Sequence, residues 1–103
     1  MSKTIGRNRL EENRFKTISD FKWCVNRGGE IEFEYHERVF GIFPLLKQNP
    51  ESEYQILICE KFVDNQAETE KWYDTADDVL EYMIDGVRLR DVITEVIVWD
   101  RTI

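Results

Sequence analysis

GGEIEFEYHE, residues 28–37, decides the fold. From Glu30 to Tyr35, carboxylates alternate with apolar side chains: Glu30, Glu32 and Glu34 against Ile31, Phe33 and Tyr35. A period of two places the two sets on opposite sides of an extended chain, so the stretch predicts a strand half buried in a core. The preceding Gly28-Gly29 pair reads as the stop of a helix, because glycine tolerates the left-handed backbone that ends one.

Upstream, Ser19 serves as a helix cap with Asp20 in the first turn. Ile18, Phe21, Cys24 and Val25 then fall on one helical face, with Arg27 in the last turn and Trp23 off the apolar stripe. Downstream, RVFGIFPLL (38–46) follows a tight turn near Glu37 and predicts the second arm of a hairpin. Pro44 is expected to end it, bulge it or mark an edge. KQNPES (47–52) reads as a loop. EYQILICEKF (53–62) predicts a third strand with apolar residues on both faces at its centre. VDNQAE reads as another loop, and TEKWYD (69–74) as a fourth strand with Trp72 and Tyr73 on opposite faces.

Thr75, with Asp77 and Asp78 behind it, caps a predicted second helix whose apolar face is Val79, Leu80, Met83 and Ile84 and which ends at Asp85-Gly86. VRLRD (87–91) connects it to VITEVIVWD (92–100), apolar on both faces and so expected inside the sheet. The expected fold class is α+β: a single domain with a largely antiparallel four- to five-stranded sheet and two helices packed on one face. The expected organisation is a basic N-terminal arm, 1–17, with Phe15 docking on an acidic domain, 18–103.

The chain of 103 residues is 42% hydrophobic, ample for one core. Its net charge is −7. The arm holds five Lys/Arg against two Glu, and the rest nine against 19 acids. A body so acidic repels nucleic acid and anionic membranes, which disfavours direct DNA or RNA binding. Cys24 and Cys59 lack metal-ligand spacing and fit buried thiols of a cytoplasmic protein better than a disulfide. No apolar run reaches transmembrane length, and the N-terminus lacks the apolar core of a secretory signal.

Catalytic signatures are missing from the pattern. His36, the single histidine, falls at a hairpin end, and neither cysteine stands in a nucleophile motif. Asp74, Asp77 and Asp78 crowd a helix start without the spacing of a calcium loop, and capping explains them. The expectation is a non-enzyme with no cofactor and no metal.

That leaves the carboxylates. A hydrated strand face accounts for Glu30, Glu32 and Glu34 at little cost, since like charges at this spacing repel by about a few tenths of a kcal/mol in water. A row of carboxylates on a rigid sheet also imitates the phosphates of a nucleic acid and fits a Lys/Arg-lined groove. The candidate partner-binding residues are Glu30, Glu32, Glu34, Glu37, Glu68, Glu70, Asp74, Asp77 and Asp78, with Trp23 and Trp72 as aromatic anchors and Tyr35 and Tyr73 beside them.

In this character, short, acidic and without catalytic residues, the chain resembles small accessory proteins of phages and mobile elements of the anti-CRISPR type. WYDTADDVLEYMIDGVRLRDVI (72–93) is similar to helix–turn segments in small proteins of Gram-positive mobile elements. The resemblance implies an inhibitor that occupies the nucleic-acid-binding groove of a basic partner, such as a Cas9-type nuclease. The alternative is a regulatory or structural interaction module, homodimeric through an edge strand, with its acidic face only solvating.

Overall fold

The computed structural model describes residues 14–46 and 54–102. Residues 1–13 of the predicted arm and the predicted loop 47–52 lie outside the described residues.

Helix α1 (Ile18–Asn26) begins two residues earlier than expected. Thr17, not Ser19, is its cap, its hydroxyl accepting the Asp20 N–H at 3.0 Å. Phe15 is fully buried ahead of it, edge-on to Phe21 with ring centroids 5.3 Å apart, so this end of the arm belongs to the core. The helix closes as the glycine pair predicts. Gly29 N–H reaches Cys24 O at 3.0 Å, Gly28 N–H reaches Val25 O at 2.9 Å, and Gly28 sits at φ +82°. Arg27 is the C-cap rather than a last-turn residue.

Strands β1 (Ile31–Tyr35) and β2 (Arg38–Leu46) form the predicted hairpin. Its two-residue turn, His36-Glu37, holds both residues at positive φ, +53° and +66°, the backbone of a type I′ turn built without Asn or Gly. β2 runs straight through Pro44 and pairs with β3 (Tyr54–Lys61), Pro44 facing Ile56. The alternation of an antiparallel ladder explains the tolerance. Arg38, Phe40 and Ile42 direct their N–H groups to β1, so Pro44 would too, but β1 pairing ends at Ile31↔Ile42 and no bond is lost.

A one-turn helix, α2 (Gln66–Thr69), occupies what composition reads as loop, and shortens β4 to Lys71–Tyr73. Thr75 caps α3 (Ala76–Val79) as expected, its hydroxyl accepting the Asp78 N–H at 3.0 Å. The predicted continuation of that helix to Ile84 is wrong. Tyr82 and Ile84 are buried while Glu81 and Met83 are exposed, a period of two. Met83–Ile84 (β5) and Val87–Arg88 (β6) form a small hairpin across Asp85-Gly86, whose φ values of +53° and +83° again give a type I′ turn. The Asp-Gly turn preference wins over an apolar spacing that suits a helix equally well.

The segment 92–100 also differs. Leu89, Val92, Ile93 and Val96 follow the i, i+3, i+4, i+7 pattern of a helix face, and all four are buried around the short helix α4 (Leu89–Val92). Only Ile97–Arg101 extends, as β7. It is an edge strand, not an interior one: the sheet order is β4-β3-β2-β1-β7, every pair antiparallel.

The fold class is α+β, as predicted. One face of the sheet, carrying Ile31, Phe33, Phe40, Ile42, Ile56, Ile58 and Val98, merges with Phe21, Cys24 and Val25 of α1 and with Val79, Leu80, Leu89 and Ile93 into a single core. Of the four helices among the described residues, α1, α3 and α4 supply the covering layer, and α2 buries no residue. Both cysteines are buried free thiols. No described helix is long and apolar enough to cross a membrane.

Candidate functional site

The other face of the sheet has no covering layer among the described residues. Its composition follows from register. Ile31 and Phe33 point into the core, so Glu32 and Glu34 point away. The register then places Glu32 opposite Gly41 and Asp100, and Glu34 opposite Val39 and Ile97. Further across, Phe43 lies beside Leu57, and Leu57 beside Trp72. Three strands distant in sequence thus assemble an apolar row, Phe43–Leu57–Trp72, next to the glutamates. Leu45 extends it, 45% exposed, and Trp72 is 48% exposed.

A bulge adds a second indole. Phe33 faces Val98 while Glu32 faces Asp100, so Trp99 is the extra residue of β7. Its Nε1 donates to Glu34 Oε1 at 3.0 Å, which brings the ring to the outer face, 53% exposed. Gly41 keeps the centre low. A Cβ there would stand 2.6 Å from the tip of the Phe43 ring, which lies over the glycine. A cavity of about 170 Å³ opens between Phe43, Lys61, Glu30, Glu32 and Asp100.

The predicted carboxylate row is real in position, but only part of its charge is unpaired. Lys61 pairs with Glu32, and Trp99 takes one oxygen of Glu34, leaving Glu30 and Asp100 as the exposed carboxylates at this end. Glu70 precedes β4 with the same outward parity as Trp72. Its charge adds to burial in pushing the Cys59 thiol above its ordinary value, so it stands near the other side of the face.

The remaining candidates do not join this surface. Trp23 is 46% exposed on α1, with the Arg27 guanidinium 4.2 Å over its ring. Asp77 is 3.5 Å from Lys22 of the same helix and 3.6 Å from Arg90, so Trp23, Asp77 and Asp78 belong to the helical side. Asp74 is exposed at the approach to α3, and Glu68 is exposed on α2. Glu37 is exposed in the β1–β2 turn beside His36, whose ring stacks on Tyr35 at 3.9 Å. Tyr35 and Tyr73 are half-buried and pack on the core rather than standing free as anchors.

The sequence pattern missed Phe43, Leu57 and Trp99. Their signal is an apolar residue at an outward position of an otherwise alternating strand, which marks a face that water is not meant to cover entirely. It also missed an ion pair on the core side. Arg38 binds Glu60 in a two-pronged contact, 2.9 Å from each nitrogen, and reaches Asp85 at 2.7 Å. Glu60 is 9% exposed, and the guanidinium holds its carboxyl below the usual carboxylate range against the opposing effect of burial.

Among the described residues no group of three His, Cys, Asp or Glu is placed to hold a metal ion. No protein-family model, curated protein or solved structure matches the chain.

Proposed function

We propose that this protein is a non-enzymatic binding module that inhibits a basic, nucleic-acid-handling protein by seating the outer face of its sheet in that partner's nucleic-acid-binding groove. The single observation behind the reading is the uncovered face itself, where Trp72, Leu57, Phe43 and Trp99 lie among Glu30, Glu32, Glu34, Glu70 and Asp100. Apolar and aromatic area supplies affinity, at roughly 25 cal/mol per Å² removed from water. The carboxylates supply orientation and a fast, steered encounter with a Lys/Arg-lined groove.

The pairing of Glu32 and Glu34 refines the mimicry. Glu32 is neutralised by Lys61 and Glu34 is oriented, still charged, by Trp99, so the charge offered to a partner comes from Glu34, Glu30, Asp100 and Glu70 around the apolar row. A Cas9-type nuclease is the partner class to which the sequence resemblance points. A second copy of the chain is a poorer occupant, because two molecules of charge −7 would have to bring acidic faces together.

The experiment is binding to Cas9-type nucleases, with and without guide RNA, across a salt series. The expected result is tight binding to the guide-free or DNA-free protein that weakens with salt. It should fall at least tenfold for Trp72→Ala and for the pair Glu30→Lys, Asp100→Lys. Tight binding untouched by both sets of changes would move the interface elsewhere.

A further inference from the structure

On the core side of the sheet, beside β4, a cleft of about 560 Å³ opens at Phe40 and the Arg38–Glu60 pair. Its size lies within the range of small-molecule sites, roughly 300–1,000 Å³. The walls are Tyr73 and Tyr82, with the flexible Met83 at the rim. Tyr82 is fixed, its hydroxyl donating to Thr69 O at 3.1 Å. Glu60 is fixed from both ends, by Arg38 and by the Thr69 hydroxyl, which accepts the Glu60 backbone N–H at 2.8 Å. These groups form a rigid floor that is already hydrogen-bonded.

Three groups at the cleft stand apart from that network. The Lys71 ammonium, the Glu68 carboxylate and the Tyr73 hydroxyl make no side-chain hydrogen bond or ion pair among the described residues. Arg38 is committed to two carboxylates, which leaves Lys71 as the cation able to receive an anionic group. Glu60 and Glu81 are already held by Arg38 and Arg90, so a simple anion would leave the Glu68 carboxylate unanswered in a chain of net charge −7. A simple cation would leave Lys71 unanswered. A ligand carrying both charges meets neither difficulty.

We infer that this cleft binds a small zwitterion with an apolar or aromatic body, of the class of a free α-amino acid. Its carboxylate sits on Lys71 and the Tyr73 hydroxyl, its ammonium on Glu68, and its side chain against Tyr73, Tyr82 and Met83. The site lies across the sheet from the proposed docking face and stands or falls separately from it.

Calorimetric titration of the full chain with L-phenylalanine, 3-phenylpropionate and phenethylamine tests this. The expected result is saturable binding of L-phenylalanine, with each single-charge analogue at least tenfold weaker, the worth of one charge-assisted contact. Lys71→Met, at an exposed position, should weaken L-phenylalanine about tenfold and leave phenethylamine unchanged, and Lys71→Gln should repeat the effect. Equal binding of the three compounds, indifference to both Lys71 variants, or no saturable binding up to about 10 mM, far weaker than a typical ligand site, would each overturn the inference.

Discussion

The two faces of the sheet are built from the same strands and obey opposite rules. On the core side Phe33 stacks on Phe40 with ring centroids 5.3 Å apart, and neither ring meets water. On the outer side Phe43 lies over a glycine and is only half-buried, and Trp72 and Trp99 are about half exposed. The core side spends its apolar area on stability. The outer side keeps its area available for something else, because large rings left half wet contribute only part of their burial energy to folding.

The sharpest way to break this comparison is to truncate one phenylalanine on each face. Phe33→Ala removes a fully buried ring from close packing and should cost about 3–5 kcal/mol. For a domain of this size that is a large share of total stability, about 5–15 kcal/mol. Phe43→Ala should cost under about 1 kcal/mol, as surface changes do. Urea unfolding followed by tryptophan fluorescence reads both. A cost at Phe43 approaching that at Phe33 would make the outer face a second core and end its candidacy as a docking surface.

The same asymmetry governs what the sequence made legible. The core face was readable because its determinants are local: the alternation from Glu30 to Tyr35, the cap at Thr75, the glycine pair at 28–29. The outer face was not, because Phe43, Leu57 and Trp72 meet only through register. Its charge was misread for a related reason. Glu32 and Glu34 are two residues of one strand, but the partners that hold them, Lys61 and Trp99, arrive from β3 and β7. Two local signals were present and lost to a competing one. Asp85-Gly86 announces a hairpin, yet Val79, Leu80, Met83 and Ile84 also suit a helix. Leu89, Val92, Ile93 and Val96 have helical spacing, yet the β-branched Val92, Ile93 and Val96 favour a strand.

A second, smaller effect tests the Arg38–Glu60 ion pair on the core face. Arg38→Met leaves Glu60 buried without its partner and should cost about 1–3 kcal/mol at pH 7, less than for a fully buried pair because Arg38 is partly exposed. The sign with pH follows from the lowered carboxyl. Glu60 binds a proton less readily folded than unfolded, so its contribution is complete above the unfolded value, about 4.3. It is lost as pH falls through the lower folded value. The gap between wild type and Arg38→Met should therefore narrow on going from pH 6 to pH 3. A gap that is constant, or widens in acid, would mean that Arg38 acts through packing on Phe40, over which its guanidinium lies at 5.5 Å.

The smallest effect separates shape from stability on the outer face. Gly41→Ala places a methyl 2.6–2.7 Å from the Phe43 ring, a distance no real contact sustains, and a tight 3.1 Å from the Lys61 side chain. In a packed core such an insertion would force backbone shifts. Here the ring tip can swing toward solvent, so the cost should be about 1 kcal/mol, near the low end for overpacking. The cause is one ring, which makes the effect conditional: in a Phe43→Ala background Gly41→Ala should cost close to nothing, leaving a coupling of about 1 kcal/mol in the double-mutant cycle. If the glycine is costly in both backgrounds, the strain lies in the β1–β2–β3 backbone rather than in the ring. If the coupling appears, Gly41→Ala alone displaces Phe43 while preserving charge and fold. Weakened binding of the partner in that variant would then trace the docking surface to the shape of the apolar row, independently of its carboxylates.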